Sequence, residues 1–283
     1  SEASLKKFLN TLSAVDEVGA KARVEMLGTR SIKTSSKNWA IDLAIRMVDL
    51  TTLEGADTSG KVRALCAKGV YPDPTDLTVP SVGAICVYND MVKIARQALD
   101  AGGGKNIPVA AVSTAFPSGR ASIEVKIQDT RDAIANGATE IDMVIDRGAF
   151  LAGKLGYVFD QIRTIKEVCG SDIHLKVILE TGELVTLDNV RKASYLAMLA
   201  GADFIKTSTG KVAPAATAPV VYVMLEAVRD YYKMTGTRIG VKPAGGIRNT
   251  KDAIKQLVLV NEIAGPEWLD PSLFRIGASA LLN

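Results

Sequence analysis

The segment 203–211, DFIKTSTGK, places a lysine at the end of a short apolar run. Lys206 follows Phe204 and Ile205, and a hydroxyl-rich turn closed by Gly210 comes next. Burial behind apolar residues disfavours the ammonium form and lowers the pKa of a lysine. A neutral amine near pH 7 is the nucleophile of Schiff-base enzymes. A buried lysine paired with a carboxylate is the alternative, and this segment alone leaves both interpretations open.

Other charged residues lie at or near the ends of apolar segments. They are Asp49, Asp142, Lys176, Glu180 and Lys242. Asp and Lys are almost never fully buried unless paired, so several of them converging on one rim favour a site. We interpret Lys176 and Glu180 as structural partners, and Asp142 and Lys242 as functional. Lys206 and Lys242 on adjacent strands would each lower the pKa of the other, and Asp142 could transfer protons.

Glycine-containing turns follow the last three apolar segments of the chain. The sequence reads KPAGG at 242–246 and IGAS at 276–279, and Gly210 and Lys211 follow Lys206. Glycine lets backbone N–H groups approach anionic oxygens closely, and the loops after the last two strands of a (β/α)8 barrel are the usual phosphate site. Two such turns on adjacent strands indicate a phosphorylated substrate.

The elements that would position these residues alternate regularly. Short apolar segments alternate with amphipathic segments of helical length, which is typical of a parallel sheet built from βαβ units. Eight strands are predicted, centred on 46–50, 84–88, 108–113, 140–145, 174–179, 203–206, 238–242 and 273–276. Asn89, Ser122 and Pro219 predict helix starts. The first strand lacks a following GxGxxG, so we predict a closed (β/α)8 TIM barrel, with an open doubly wound sheet as the alternative.

The first 38 residues differ from the rest of the chain. Leu5, Phe8, Leu9 and Leu12 are spaced as on one face of a helix, and the polar run 29–38 is typical of a linker. We therefore predict an N-terminal helical extension with its linker over 1–38 and a catalytic barrel over 39–283. No chemistry is assigned to the extension.

Composition excludes several classes of function. The 34 basic and 31 acidic side chains nearly cancel, so no nucleic-acid or membrane partner is expected. His174 is the only histidine and the three cysteines form no CxxC pair, so neither a metal nor another cofactor is expected. Without a membrane-length apolar run or a signal sequence, a soluble cytoplasmic protein is expected. The residues alone therefore predict a phosphate-binding barrel enzyme with an activated lysine, which would be an aldolase, a lyase or a dehydratase.

Six segments together resemble the deoxyribose-phosphate aldolase family. They are MVDLTTL at 47–53, EIDMVID at 140–146, LKVILETGEL at 175–184, FIKTSTGKVAP at 204–214, VKPAGGIR at 241–248 and RIGAS at 275–279. The resemblance covers the chain from about Met47 onward with the strand order intact. It implies a metal-independent class I aldolase that reversibly cleaves 2-deoxy-D-ribose 5-phosphate to D-glyceraldehyde 3-phosphate and acetaldehyde.

The resemblance also implies roles for individual residues. The Schiff-base lysine falls on Lys206, the lysine that lowers its pKa on Lys242, and the proton-transfer aspartate on Asp142. The phosphate contacts are Gly210, Lys211, Gly245, Gly246 and Ser279. Asp49, Thr51 and Thr209 would line the sugar pocket. Cys86 would line the acetaldehyde side or be a small core residue.

Two departures from the family pattern bear on activity. Ala280 stands where many members have a second small hydroxyl residue, which removes one phosphate contact. The C-terminal tail with a proton-transferring tyrosine, common in the family, is not among residues 1–283, and the imine chemistry is expected to survive without it. Another phosphosugar Schiff-base lyase and a non-catalytic barrel scaffold are the alternative functions. The partners expected are small phosphosugars and aldehydes, with a homodimer also possible.

Overall fold

The computed structural model describes all residues from Ser1 to Asn283 and contains eight parallel strands. The strands are β1 Val48–Thr51, β2 Ala84–Val87, β3 Val109–Ser113, β4 Glu140–Val144, β5 His174–Ile178, β6 Phe204–Lys206, β7 Gly240–Lys242 and β8 Ile276–Ala278. Their order is β7-β6-β5-β4-β3-β2-β1-β8, so each of β1 to β6 neighbours its successor in sequence and β8 pairs with β1. Bridges between Val241 and Phe274 and between Ala244 and Gly277 close the remaining gap. This is the predicted (β/α)8 TIM barrel.

Eleven α-helices accompany the strands. They are α1 Glu2–Thr11, α2 Glu17–Gly28, α3 Thr34–Met47, α4 Ser59–Val70, α5 Val92–Ala101, α6 Ile123–Ala135, α7 Arg147–Leu151, α8 Leu155–Cys169, α9 Leu187–Leu199, α10 Ala218–Thr235 and α11 Thr250–Leu259. Ser122 caps α6 by accepting a hydrogen bond from the Val125 N–H, as its position predicts. Asn89 does not cap α5, because it lies in a 3₁₀ turn and donates its side-chain amide to Asp129. No helix is long and apolar enough to cross a bilayer.

Several strand boundaries differ from the predicted ones. β1 begins two residues later than predicted because α3 continues to Met47, and β8 begins at Ile276 rather than at 273. Apolar residues at helix ends and in loops extend the hydrophobic runs of the sequence beyond the hydrogen-bonded strands. A hydrophobic run in the sequence therefore predicts that a strand is present but not the residues at which it begins and ends.

The N-terminal extension is packed on the outside of the barrel. Helix α1 lies against α8 and α9, and α2 lies against α10 and α11. Leu9 and Leu27 are buried, and the Val15 N–H donates to the Asp188 carboxylate across 2.6 Å. The predicted linker over 29–38 is only partly correct, because its second half forms the first turn of α3, a helix that crosses the predicted boundary at residue 38.

Apolar side chains pack on both sides of the barrel wall and form two separate regions. The larger contains 64 buried residues and fills the space between the strands and the helices. The smaller lies inside the barrel and consists of Leu53, Cys86, Ala110 and Val112, with Tyr88 and Phe116 packed against it. Because side chains alternate across each strand, the same alternation that sends Ile205 outward turns Lys206 toward the barrel axis.

Candidate active site

Asp142 is the centre of a buried ionic network inside the barrel. Its Oδ2 accepts hydrogen bonds from Lys206 Nζ at 2.8 Å and from Lys242 Nζ at 2.7 Å. Its Oδ1 accepts one from Lys176 Nζ at 2.8 Å. The register explains the convergence, since Lys176 pairs with Asp142 across β4 and β5, and Lys206 pairs with Lys242 across β6 and β7. Three lysines therefore share one carboxylate.

A second group of charges lies beside the first and completes the network. Arg275 donates to Asp49 at 2.8 Å and to Glu140 at 2.9 Å. Asp49 Oδ2 lies 2.5 Å from Lys242 Nζ, and Glu140 accepts from Lys176 at 3.3 Å. The network thus contains four basic groups and three carboxylates, all buried. If every group were charged, one positive charge would be left over, and loss of one proton from a lysine would make the network neutral.

Lys206 is the lysine that loses its proton most readily. Burial disfavours its ammonium form, and Lys242 adds to that effect, so the pKa of Lys206 is lowered even though Asp142 opposes the shift. Burial also disfavours the charged form of Lys242, but Asp142 and Asp49 outweigh it and raise the pKa of Lys242 well above its usual value. The prediction that Lys206 and Lys242 each lower the pKa of the other is therefore wrong for Lys242. Two carboxylates contact Lys242, whereas only one contacts Lys206.

Asp142 remains ionised in this environment. Burial alone would raise its pKa, but the surrounding Lys176, Lys206 and Lys242 hold the pKa of Asp142 well below its usual range. Asp49 is similar, since Lys242, Arg275 and Lys176 lower its pKa against the effect of burial. Both carboxylates are therefore ionised and hold no proton at neutral pH.

Lys206 is the one member of the network that reaches the cavity at the carboxyl ends of the strands. The cavity has a volume of about 490 Å³. Eight residues predicted for the site line it, namely Thr51, Lys206, Thr209, Gly210, Lys211, Gly245, Gly246 and Ser279. Asp142, Lys242 and Asp49 do not line it and lie below Lys206. This arrangement exposes one amine to a ligand and keeps its ionic partners covered.

The glycine turns form one wall of this cavity. Gly245 and Gly246 have φ values of 81° and 82°, a left-handed conformation that L side chains rarely adopt. Thr207 Oγ1 accepts from the Ala244 N–H at 3.0 Å, which holds the turn against the end of β6. Ser279 lies on the same wall. The wall is thus made of backbone and small side chains, the kind of surface on which an anion can accept hydrogen bonds from N–H groups.

The structure gives the surroundings of three other predicted residues, and two of these, Lys176 and Glu180, differ from expectation. Lys176 and Glu180 are not partners of each other, because Lys176 pairs with Asp142 and Glu140. Glu180 instead accepts hydrogen bonds from the hydroxyl and the backbone N–H of Thr209. Cys86 is fully buried among apolar side chains and does not line the cavity; burial raises the pKa of its thiol. Cys86 thus belongs to the inner apolar cluster, where it adjoins the charged groups of Lys206, Lys242 and Asp142.

Sequence reasoning missed several residues of the site. Arg275 and Glu140 support Asp49 and Lys176, and Glu54 and Arg248 line the cavity. Glu140 and Asp142 alternate on β4 and so face the same side, a pattern that could have identified Glu140. Nothing in the sequence brings Arg275 to Asp49, because the two residues are 226 positions apart.

Comparison with known proteins assigns the family. A profile of DeoC/LacD family aldolases matches residues 43–283. The chain belongs to the DeoC/LacD aldolase family. It is 48% identical to human deoxyribose-phosphate aldolase over 272 residues, which cover 92% of this chain and 84% of the human protein. It is 47% identical to the mouse deoxyribose-phosphate aldolase over 262 residues, 90% of this chain and 82% of the mouse protein.

A solved structure of this family has the same fold. The tetrameric deoxyribose phosphate aldolase from Aeropyrum pernix superimposes with a TM-score of 0.66 at 25% sequence identity. The match covers 90% of this chain and 92% of the other. The barrel, the lysine network and the glycine-walled cavity of this DeoC/LacD aldolase therefore lie within a fold already known to carry aldolase activity.

Proposed function

We propose that this chain reversibly cleaves 2-deoxy-D-ribose 5-phosphate to D-glyceraldehyde 3-phosphate and acetaldehyde through a Schiff base on Lys206. The observation that carries the proposal is the position of Lys206, which has a lowered pKa and alone joins the buried network to the cavity. The names of the human and mouse relatives support the choice of substrate.

The first step forms the imine. Neutral Lys206 attacks the aldehyde carbon C1 of the open-chain sugar, and the resulting carbinolamine takes up one proton and releases water. Asp142 lies 2.8 Å from Lys206 Nζ, so it can carry a proton from the amine to the departing hydroxyl. Because its pKa is held low, Asp142 passes the proton on and does not retain it.

The second step breaks the C2–C3 bond. Removal of the proton from the C3 hydroxyl makes C3 the aldehyde carbon of glyceraldehyde 3-phosphate, and the bonding electrons move into the iminium to give an enamine on Lys206. Protonation of C2 and hydrolysis then release acetaldehyde and regenerate the amine. The ammonium of Lys242 favours the neutral form of Lys206 at the start of each cycle.

The phosphate would bind away from Lys206 on the other wall of the cavity. We assign it to Gly210, Lys211, Gly245, Gly246 and Ser279, with Thr51 and Thr209 at the sugar end and Asp49 supporting that end from beneath the cavity through Lys242. Anchoring the phosphate converts binding energy distant from the reacting carbons into orientation of C1 at the amine. The phosphosugar and the aldehyde are thus the proposed partners.

The proposal extends to the location, the oligomeric state and the organisation of the chain. We propose a cytoplasmic enzyme on the ground that its three cysteines are free and buried. A homodimer remains a proposal, and the Aeropyrum pernix relative is a tetramer. We also propose a two-part organisation, with residues 1–38 as the extension and 39–283 as the barrel, the two parts being joined by α3, which spans the boundary.

A coupled assay tests the activity. Deoxyribose 5-phosphate is supplied, and glyceraldehyde 3-phosphate is measured for the wild type, Lys206→Ala and Lys233→Ala, a lysine on the outer helix α10. Activity in the wild type and Lys233→Ala with loss in Lys206→Ala is expected. Turnover of a different phosphosugar, with none of deoxyribose 5-phosphate, would favour another Schiff-base lyase. No turnover by folded protein would favour the scaffold.

A further inference from the structure

A carboxylate of the cavity wall lies within the proposed phosphate site. Glu54 Oε1 is 3.1 Å from Lys211 Nζ, and both residues line the cavity. Glu54 is the one carboxylate among the 19 lining residues, which also include the basic side chains of Lys61, Lys206 and Arg248. An anion of the protein itself thus contacts a cation that we assign to the substrate phosphate.

The loop that carries Glu54 is held in place by Asp57. The Asp57 carboxylate accepts hydrogen bonds from the Glu54 N–H at 3.0 Å, from Thr52 Oγ1 at 2.7 Å and from Lys61 Nζ at 2.7 Å. The Asp57 side chain is nearly fully buried, whereas that of Glu54 is 63% exposed. The backbone at Glu54 is therefore fixed while its side chain can swing toward solvent.

We propose that Glu54 occupies the phosphate's place at Lys211 in the unliganded enzyme and must be displaced when a phosphorylated ligand binds. The inference rests on the proposed function, because it takes Lys211 as a phosphate contact. Binding then exchanges one anion for another at Lys211, so the gain from the new ion pair is reduced by the loss of the old one. The displaced carboxylate also remains near a phosphate that carries a charge between −1.5 and −2 at about pH 7.

This exchange makes Glu54 a specificity residue and not a catalytic residue. It weakens binding of phosphorylated ligands and does not affect ligands without a phosphate, because those need not displace it. Glu54 therefore reduces the preference of the enzyme for phosphorylated over unphosphorylated sugars. Its effect falls on KM and on phosphate affinity, since the carboxylate does not contact Lys206 or its network.

The test compares Glu54→Gln with Glu17→Gln. Glu17 forms a similar exposed ion pair with Lys21 at 2.9 Å on α2, outside the cavity, and serves as the matched control. Dissociation constants of inorganic phosphate are measured by calorimetry, and KM and kcat are measured for deoxyribose 5-phosphate and for 2-deoxyribose. We expect phosphate to bind about two- to fivefold more tightly to Glu54→Gln, the range typical of an exposed ion pair. The KM of Glu54→Gln for deoxyribose 5-phosphate should also fall. Its KM and kcat for 2-deoxyribose should match those of the wild type, and Glu17→Gln should match the wild type in every measurement.

A second pair of variants assigns the effect to Lys211. In a Lys211→Met background, Glu54→Gln should tighten phosphate binding clearly less than it does beside Lys211, because the competing ion pair is already absent and only the repulsion between Glu54 and the phosphate is removed. Equal or weaker phosphate binding in Glu54→Gln, or no phosphate binding by any variant, would overturn the inference. Trapping of an acetaldehyde imine on Lys206 in the same samples reports on the proposed function separately, since acetaldehyde has no phosphate.

Discussion

Lys206 and Lys242 differ in charge because their carboxylate partners differ in number. Lys242 contacts both Asp49 and Asp142, whereas Lys206 contacts Asp142 alone. Lys242 therefore holds its proton, and its positive charge helps Lys206 to lose one. Because the neutral amine is the nucleophile, activity should rise as the pH rises through the pKa of Lys206, which lies below the usual lysine value.

Replacement of Lys242 tests this division of charge. In Lys242→Leu the remaining neighbour of Lys206 is the Asp142 carboxylate, so the pKa of Lys206 should rise and the amine should be protonated near pH 7. We expect turnover at pH 7 to fall by about two orders of magnitude or more, within the range of acid–base effects. The pH–rate profile measures this, and its rise should move to higher pH.

Lys242→Arg provides the control, because it keeps a positive charge at this position. It should keep the rise of the pH–rate profile near that of the wild type even if its bulk lowers kcat. A Lys242→Leu enzyme whose profile coincides with the wild-type profile would show that Lys242 does not tune the amine.

The sequence was sufficient to predict Lys206, Lys242 and Asp142 as neighbours, because charged residues near the ends of buried parallel strands meet at one edge. The sequence did not predict that the pKa of Lys242 is raised. The pKa of Lys242 is raised by Asp142 and, in addition, by Asp49 in β1, which approaches Lys242 only when the barrel closes. Contacts made across the barrel have no counterpart in local sequence.

Among the elements, β7 and β8 are joined less regularly than any other neighbouring pair. Two isolated bridges link them, whereas every other neighbouring pair forms a ladder. Arg275, just before β8, compensates by binding Asp49 of β1 and Glu140 of β4. Burial disfavours its charged form, but these two carboxylates outweigh that effect and raise its pKa. The guanidinium is thus an ionic cross-link inside the barrel.

We therefore expect Arg275→Met to destabilise the protein strongly. The change leaves Asp49 and Glu140 buried with one fewer cation, and breaking such a pair costs about 3–5 kcal/mol. The free energy of unfolding by urea measures the effect. Arg275→Lys restores the charge but not the two-pronged geometry, so it should recover only part of the stability. A change below about 1 kcal/mol for Arg275→Met would contradict this role.

The positions of strands and helices were largely predictable, because apolar runs and helical spacing are local properties. The ends were less so. Asn89 looked like a helix cap, but its side chain instead binds Asp129, a residue of α6 forty positions away. Tertiary contacts of this kind override local capping preferences.

In the molecule as a whole, the N-terminal helices act as an outer layer over α8 to α11. Leu9 and Leu27 are almost completely buried, so the layer contributes to the core and α3 connects it directly to β1. The helical extension was predictable from the spacing of its leucines. Its docking site was not, since the partner surfaces come from the second half of the chain.

Leu27→Ala measures how far this layer is part of the folded unit. Truncating a buried leucine costs about 2–5 kcal/mol, so the urea midpoint should fall clearly. Val18→Ala, at a residue that is 80% exposed, is the control and should change little. If extension and barrel fold as one unit, far-ultraviolet ellipticity and tryptophan fluorescence should report one coincident transition for Leu27→Ala. Two separated transitions would show that residues 1–38 unfold independently.

The most direct test of the mechanism is reductive trapping with acetaldehyde and borohydride, followed by peptide mass mapping. The account predicts a two-carbon adduct on Lys206 and none on Lys242 or Lys176, whose ammonium forms are held by Asp142 and whose side chains do not line the cavity. The Lys206→Ala variant should give no adduct. An adduct on Lys242 in the wild type, or folded wild-type protein without any adduct, would contradict the assignment of Lys206 as the Schiff-base lysine.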